Sequence, residues 1–469
     1  MGILIGLVRN KFMALILGAG GMGFSSLLNS VQNFSAQCTN LGISFGAVPR
    51  LSELHEKEDA NGLEHFVMVI RLWSLIAAVL GFVFCVAVSP FLNEMTFTWG
   101  NHTLHYAMLA FSVAMLAVTG GETAILKATR RLGSLVKIQV FMVFASVLVS
   151  IPVYYYLGYS GVVPVIVLMA LANMVATMWY SCRFYPLRIR VSRMLLAEGA
   201  GMIRLGVAYV LAAVIGSAAE MLVRSFLNVE GGLEDVGLYN AVYMITVTYA
   251  GLVFSAMDTD YFPRLSAVSH DIAATNETVN RQMEVSLLII APMLAGLIVV
   301  LPVLVPLMFS TEFVPIVAVT QVAVLAMYAK VLTMPVAYIT LARGLSLSYL
   351  MLETAYFVVF VLLIVGGYNK CGIYGTGIAI VAAHVFDYIM INGYAWWKYG
   401  YRLTPQVVRY AGVQVTLGVL VFALTCMADG PLYWITGAAL TLVSTAYSVA
   451  ILRQKTRLWE RLRQRILGR

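Results

Sequence analysis

Runs of about twenty mostly apolar residues, repeated along nearly the whole chain with only short polar turns between them, leave this sequence few ways to fold. Candidate spans lie near 1–17, 24–48, 65–90, 104–126, 134–157, 160–182, 203–226 and 237–259. Six more lie near 283–308, 315–341, 347–367, 373–397, 408–427 and 431–452. Spanning the bilayer that many times takes roughly 280 residues, close to the 61% of the 469-residue chain that is hydrophobic. Only 11% of the residues are charged, against roughly a quarter in a soluble domain, so little chain is left for a soluble domain. A transmembrane strand would be about ten residues of strict alternation. These runs are about twice that length and do not alternate, so a helix must satisfy their backbone in lipid. The expected fold class is all-α integral membrane, with about 14 transmembrane helices.

The net charge of +8 carries its meaning through location. Connections between the runs alternate between basic and non-basic, and cytoplasmic loops carry the excess Lys and Arg. Of the 30 Lys and Arg, 25 fall in one alternating set around 50–71, 127–137, 183–204, 264–281, Arg343, 398–409 and 453–469. Arg224 and Lys370 flank the other side, and Arg9, Lys11 and Lys330 fall inside predicted spans. Both termini are therefore expected in the cytoplasm of a multi-pass protein of the cell inner membrane. The basic tail 453–469, with Trp459, reads either as a positive-inside stop or as a segment lying along the anionic inner leaflet. The N-terminus lacks the cleavage site of a signal peptide and reads as a first helix. Cys38, Cys85, Cys182, Cys371 and Cys426 are scattered, without the spacing of a disulfide framework or a zinc site.

Pro-Arg-Leu-Ser occurs at 49–52 and again at 263–266. Gly23-Phe24 precedes the first copy at the same distance as Gly237-Leu238-Tyr239 precedes the second. Leu7-Val8-Arg9 is echoed by Leu222-Val223-Arg224, and Ser89-Pro90-Phe91-Leu92 loosely by Val305-Pro306-Leu307-Met308. Ordered landmarks of this kind indicate a duplication. An even number of spans separates the copies, so the repeats are parallel and, in transporters built this way, the substrate path runs between them. The expected layout is an N-lobe bundle at 1–183, a cytoplasmic linker at 184–201 and a C-lobe bundle at 202–398. Spans thirteen and fourteen follow at 399–452, and the tail at 453–469. The repeat also makes the first helix look short: Leu222 follows about 20 residues of its span and Leu7 only six, which predicts a misassigned start or a trimmed N-terminus.

Ionisable side chains inside a span cost roughly 2.5–3.5 kcal/mol on insertion scales, so each is a functional candidate set against simple snorkelling. Arg9, Lys11, Arg224 and Lys330 form the candidate cationic set, with Lys330 the deepest. Glu220 stands one turn before Arg224, at i,i+4 salt-bridge spacing. His384 and Asp387, three residues apart on one helix face, suit either proton uptake for ion coupling or a buried structural hydrogen bond. Asn29, Gln32, Asn33 and Gln37 share one face of span two, to line a wet cavity for sugar hydroxyls or to join helices. Asp258 and Asp260 read as a solvated edge beside Arg264, and Glu353 as a carboxylate near water.

The stretches Leu17-Gly18 through Gly23-Phe24 to Leu41-Gly42-Ile43, and Glu234-Asp235-Val236-Gly237-Leu238-Tyr239 through Tyr261-Phe262-Pro263-Arg264-Leu265-Ser266, carry a family resemblance. The chain resembles the oligosaccharide flippases, the Wzx-type O-antigen translocases of the multidrug/oligosaccharidyl-lipid/polysaccharide exporter superfamily. The resemblance runs over nearly the full length, on soft patterns. It implies two six-helix bundles around a central cavity plus two extra C-terminal helices. It also implies alternating access for a polyprenyl-pyrophosphate-linked oligosaccharide in O-antigen or capsule synthesis, with polysaccharide polymerase machinery as a partner. Gly6-Leu7-Val8-Arg9 is similar to the Gly-Phe-Val-Arg context of a first-helix arginine in the related lipid II flippases, which carries the cavity role over to Arg9 alone. Lys330 resembles, more weakly, a lysine that some members show in span ten.

A pyrophosphate head group needs cations on its way across and sugars need polar partners, which the residues above supply. No cofactor is called for beyond a proton or sodium gradient, and no nucleic acid. A lipid II flippase or a multidrug exporter of the same fold is the alternative function, the exporter expected to show acidic cavity residues outweighing basic ones. A membrane enzyme is disfavoured, since no metal triad, nucleophile elbow or phosphate-binding loop stands out and the outer connections are short. The glycine-rich 18–23 segment falls between two expected spans.

Overall fold

The computed structural model describes residues 2–97, 100–188, 191–428 and 430–455, with the side chains of 2–7, 44–45, 204–209, 249–250, 252–253, 255–260 and 455 left aside. The side chains of Asp258 and Asp260, and residues 456–469 of the basic tail, thus lie outside the described residues.

The architecture is all-α, with no strand among the described residues. In chain order the helices are α1 (Gly2–Thr39), α2 (Ile43–Glu56), α3 (Ala60–Thr96), α4 (Thr103–Ala128) and α5 (Leu132–Leu157). A 3₁₀ turn at Gly158–Gly161 leads to α6 (Val162–Phe184), followed by α7 (Arg193–Tyr243), a π-helical turn (Met244–Tyr249) and α8 (Ala250–Val268). Then come α9 (Ile272–Met308), a 3₁₀ turn at Thr311–Phe313, α10 (Ile316–Val324), α11 (Ala326–Ala342), α12 (Ser346–Tyr399), α13 (Pro405–Met427) and α14 (Gly430–Lys455). Among the described residues, ten helical stretches are long and apolar enough to cross a membrane. Leu148, Trp179, Leu362 and Leu442 are 65–72% exposed on them, an outward apolar surface that is stable in lipid and not in water. The chain is a multi-pass membrane protein.

Four of the ten stretches are broken at a glycine of positive φ. Gly18 (φ 67°, ψ −169°) breaks α1, Gly232 (φ 78°, ψ −178°) breaks α7, Gly158 (φ 56°, ψ −132°) separates α5 from α6, and Gly372 (φ 57°, ψ −145°) breaks α12. A positive φ with extended ψ is accessible to glycine and almost nothing else. The breaks fall in register: Gly18 matches Gly232 and Gly158 matches Gly372, both 214 positions apart, and left-handed Arg130 matches left-handed Gly344 at the same offset. The duplication read from Pro-Arg-Leu-Ser is therefore written in the backbone as well.

Three sequence boundaries shift. The glycine-rich 18–23 segment is helical except at Gly18, so spans one and two meet at a single residue. Span two ends at Thr39, not near 48, because Leu41 (φ 54°) and Gly42 (φ 69°) turn the chain before the separate helix α2. The expected linker 184–201 is helical from Arg193 onward and runs without interruption into α7.

The chain folds as two compact units, Met1–Asn240 with Leu307–Glu312, and Ala241–Pro306 with Phe313–Arg469. The first unit thus takes in α7 up to Asn240, beyond the lobe boundary expected from the repeat. Part of its core joins Ile43, Leu51, Phe66, Ile70 and Ile125 to Leu195 and Met202 at the start of α7.

Arg71, counted above among loop cations, belongs instead to the interior of α3, 5% exposed. Its Nε donates to Glu122 Oε1 at 2.7 Å and its Nη2 to Glu122 Oε2 at 3.2 Å, a bidentate pair with α4. Nη1 and Nη2 also donate to the carbonyls of Pro186 (2.8 Å) and Tyr185 (3.0 Å) beyond α6. A buried guanidinium survives because every face of its fork meets an acceptor.

Candidate functional site

In the first unit, α1 and α7 cross at their repeat-equivalent glycines. A Cβ on Gly23 would lie 1.8 Å from the Leu233 carbonyl oxygen, and one on Gly237 would lie 1.9 Å from that of Ala19. Such closeness requires glycine on both helices. One turn further on, Ser26 Oγ donates to Asn240 Oδ1 at 2.8 Å. The Arg224 side chain enters this crossing: Nε donates to Ser26 Oγ at 2.8 Å, and Nη1 to the Glu220 carbonyl (3.1 Å) and to Glu220 Oε2 (3.2 Å). Arg224 is 6% exposed and its i,i+4 partner Glu220 is half-buried.

Arg9 is half-buried; its Nη2 donates to Asn10 Oδ1 at 3.4 Å, while its Nε is buried without a hydrogen-bond partner among the described residues. Lys11, two residues on and so on another side of the helix, is half-buried. Of the polar face on span two, Gln32 is buried, Asn29 and Gln37 are half-buried and Asn33 is exposed. Asn29 turns back on its own helix, its Nδ2 donating to the Ser25 carbonyl at 2.7 Å. The break at Gly18 exposes backbone groups that other helices satisfy: Ala19 N–H donates to Glu312 Oε2 at 3.1 Å, and Tyr159 Oη donates to the Leu17 carbonyl at 3.4 Å.

In the second unit, Lys330, His384 and Asp387 line one cavity of about 220 Å³ together with Glu353. Lys330 comes from α11, Glu353 from the first half of α12, and His384 and Asp387 from its second half. Chain separation kept these residues apart in the sequence; the fold at Gly372, which turns α12 back on itself, unites them. Lys330 shares the cavity with both carboxylates. With all three ionised and His384 neutral, the cluster carries a net formal charge of −1. His384, 4% exposed, has its Nδ1 2.9 Å from the Ile380 carbonyl. A carbonyl only accepts, so Nδ1 carries the hydrogen and Nε2 of the neutral ring is the acceptor. Tyr356, whose ring stands edge-on to His384 with centroids 5.8 Å apart, carries no signal in the sequence, and Glu353, which reads there as a carboxylate near water, lines the cavity instead.

The second unit thus gathers Lys330, Glu353, His384 and Asp387 around one cavity, whereas in the first the Arg224 guanidinium is held by Ser26 and Glu220 at the helix crossing. A guanidinium so oriented is the type of group that binds an anion by charge-assisted hydrogen bonds; the cavity of the second unit can store a proton on a carboxylate beside a tethered ammonium.

A search of curated proteins finds no match. The family model described as "Polysaccharide biosynthesis protein" matches residues 12–318. Among solved structures, the chain is similar to an inward-facing multidrug resistance MATE family transporter of the MOP superfamily, with TM-score 0.73, 14% identity, 85% of this chain covered and 95% of that one. It is also similar to the lipid II flippase MurJ in an inward closed conformation, with TM-score 0.69, 11% identity and 97% of each chain covered. A third is a MOP superfamily transporter from Pyrococcus furiosus described by the reverse polarity of its binding pocket, with TM-score 0.61, 15% identity, 85% of this chain covered and 93% of that one. These neighbours are membrane transporters rather than enzymes, and they share the fold. The chain belongs to the polysaccharide biosynthesis protein family and takes the fold of MOP-superfamily transporters.

Proposed function

We propose that this protein is a flippase that moves a polyprenyl-pyrophosphate-linked oligosaccharide from the cytoplasmic to the outer leaflet of the inner membrane by alternating access. Both termini are cytoplasmic, and the product feeds surface-polysaccharide polymerase machinery. The observation that carries this reading is the buried Arg224 guanidinium, set with the Ser26 hydroxyl at a helix crossing in a protein of the polysaccharide biosynthesis family. A pyrophosphate crossing the bilayer needs a cation that is already desolvated and oriented. Arg9, whose buried Nε meets no acceptor among the described residues, and Lys11 extend the cationic path, while Gln32, Asn33 and Gln37 offer hydrogen bonds to sugar hydroxyls. The prenyl tail stays in lipid, so only the head group needs a polar route. Lys330, His384 and Asp387 then serve coupling to an ion gradient.

One observation favours a second reading, export of a cationic solute: in the second-unit cavity Glu353 and Asp387 outnumber Lys330. Proteoliposomes separate the two. Wild-type protein is expected to flip a fluorescent polyprenyl-pyrophosphate oligosaccharide, and Arg224→Ala and Arg9→Ala at equal protein levels are expected to slow it at least tenfold, the effect of about 1.4 kcal/mol. Absence of lipid movement together with gradient-driven transport of a cationic dye would establish the exporter instead.

A further inference from the structure

One segment in the wall of the charged cavity is not an ordinary helix. Tyr243 and Val247 line the cavity, and Val247 lies inside the π-helical turn Met244–Tyr249. A π turn holds one residue too many for an α-helix, is rare, and is frequent at functional sites. Removing the extra residue would rotate the following helix by about 100° and shift it by about 1.5 Å. Here that following helix is α8.

The cavity is small. Its 220 Å³ falls below the roughly 300–1,000 Å³ of pockets that bury a drug-sized ligand. Among the described residues no group of His, Cys, Asp and Glu is arranged to hold a metal ion, and a bound cation would sit beside the Lys330 ammonium. A proton needs no coordination shell and binds one carboxylate oxygen. The titratable groups around the two carboxylates are Lys330 on α11, Tyr349, Glu353 and Tyr356 on the first half of α12, His384 and Asp387 on its second half, and Tyr243 at the end of α7, with the Tyr349 side chain hydrogen-bonded to Glu353. His384 cannot turn freely, since Ile380 fixes its Nδ1, so its Nε2 is a fixed acceptor in the wall.

We propose that this cavity is a proton site whose charge state sets the register of the adjoining π-helical turn, so that protonating Glu353 or Asp387 repositions α8. The inference deepens the ion-coupling part of the function above and rests on it. A proton from water moves onto a carboxylate oxygen and the cluster goes from −1 to neutral. The carboxylates then hold Lys330 less tightly, and the packing that supports Tyr243 and Val247 changes. The helix responds where it already carries a surplus residue.

The test is amide hydrogen exchange of the full chain in nanodiscs, read by mass spectrometry between about pH 5 and 8 and expressed as protection relative to unstructured peptide at each pH. It needs no substrate, so its failure is separable from failure of the flippase reading, which the liposome assay decides. In wild type, protection across 243–250 is expected to change about tenfold over this range. The Glu353→Gln/Asp387→Asn double variant is expected to hold one value at every pH, with α3 and α4 protected as in wild type to certify the fold. Lys330→Gln, which removes the cation favouring ionised carboxylates, is expected to move the change to higher pH. A flat wild-type profile overturns the proposal, as does a double variant that keeps the wild-type pH dependence. Should the double variant fail to fold, the wild-type profile and Lys330→Gln decide alone.

Discussion

Gly23 and Gly237 touch backbone to backbone, each closing on the carbonyl four residues before the other. Neither carbonyl can yield without moving its helix. Gly23→Ala and Gly237→Ala are therefore each expected to destabilise by at least the about 1–3 kcal/mol typical of overpacked cores, seen as a lowered thermal midpoint in detergent. Ser26→Ala, which loses hydrogen bonds but adds no volume, should cost about 1 kcal/mol. A wild-type midpoint for Gly23→Ala would mean that the helices are held apart in solution.

The Arg71–Glu122 pair makes a sharper prediction. Glu122→Gln or Arg71→Met leaves one charge buried alone and should cost about 3–5 kcal/mol. Arg71→Met combined with Glu122→Leu should cost less than the sum of the singles. Recovery stays partial because the carbonyls of Tyr185 and Pro186 lose their donor. Additive losses in chemical or thermal unfolding would show that the pair is not the coupled unit drawn here.

Glu312 caps the helix that restarts after Gly18. Glu312→Gln keeps an acceptor for Ala19 N–H and should change stability little, whereas Glu312→Ala should cost about 0.5–2 kcal/mol, the range of lost N-caps. Gly18→Ala should cost about 1–3 kcal/mol from its positive-φ, extended backbone alone, and its Cβ would also lie 2.9 Å from Glu312 Oε2. Hydrogen exchange at the start of 19–39 reads both effects locally.

His102, in the turn before α4, stacks beside Phe97 at 4.2 Å between centroids and has its Nδ1 3.2 Å from that of His105. Burial, and then the neighbouring His105, hold its imidazole below the ordinary histidine range. The folded state therefore binds its proton less readily than the unfolded state, and stability should fall as pH drops below about 6.5 until the folded ring itself titrates. Thermal midpoints measured from about pH 8 to 5 should decline in wild type and flatten in His102→Gln. An identical decline in both would assign the effect to another group.

Much of this fold is legible in the sequence because membrane helices are long and apolar and because a duplicated motif survives at Pro49 and Pro263. Glu220 meets Arg224 at a spacing that any helix enforces. The convergence of Lys330, Glu353 and Asp387 is not legible, since no periodicity links residues on different helices; it arises from the reversal of α12 at Gly372. Arg71 misled for a related reason: a cation near a loop looks solvated until Glu122, on the neighbouring helix, is brought against it. The end of span two was hidden because the apolar character continues through Ile43 while Leu41 and Gly42 turn the backbone.

Ser26 and Asn240 are counterparts in the two copies of the duplication, 214 positions apart, yet they bond to each other. A residue that meets its own counterpart lies on a two-fold axis, where a symmetric homodimer would place the same side chain on both sides. A homodimer would have to face serine with serine or asparagine with asparagine. Once the copies were joined in one polypeptide, the two sides became free to differ. A hydroxyl could then face an amide oxygen while an arginine approached from one side only, giving the axis a direction that no symmetric ancestor could have had.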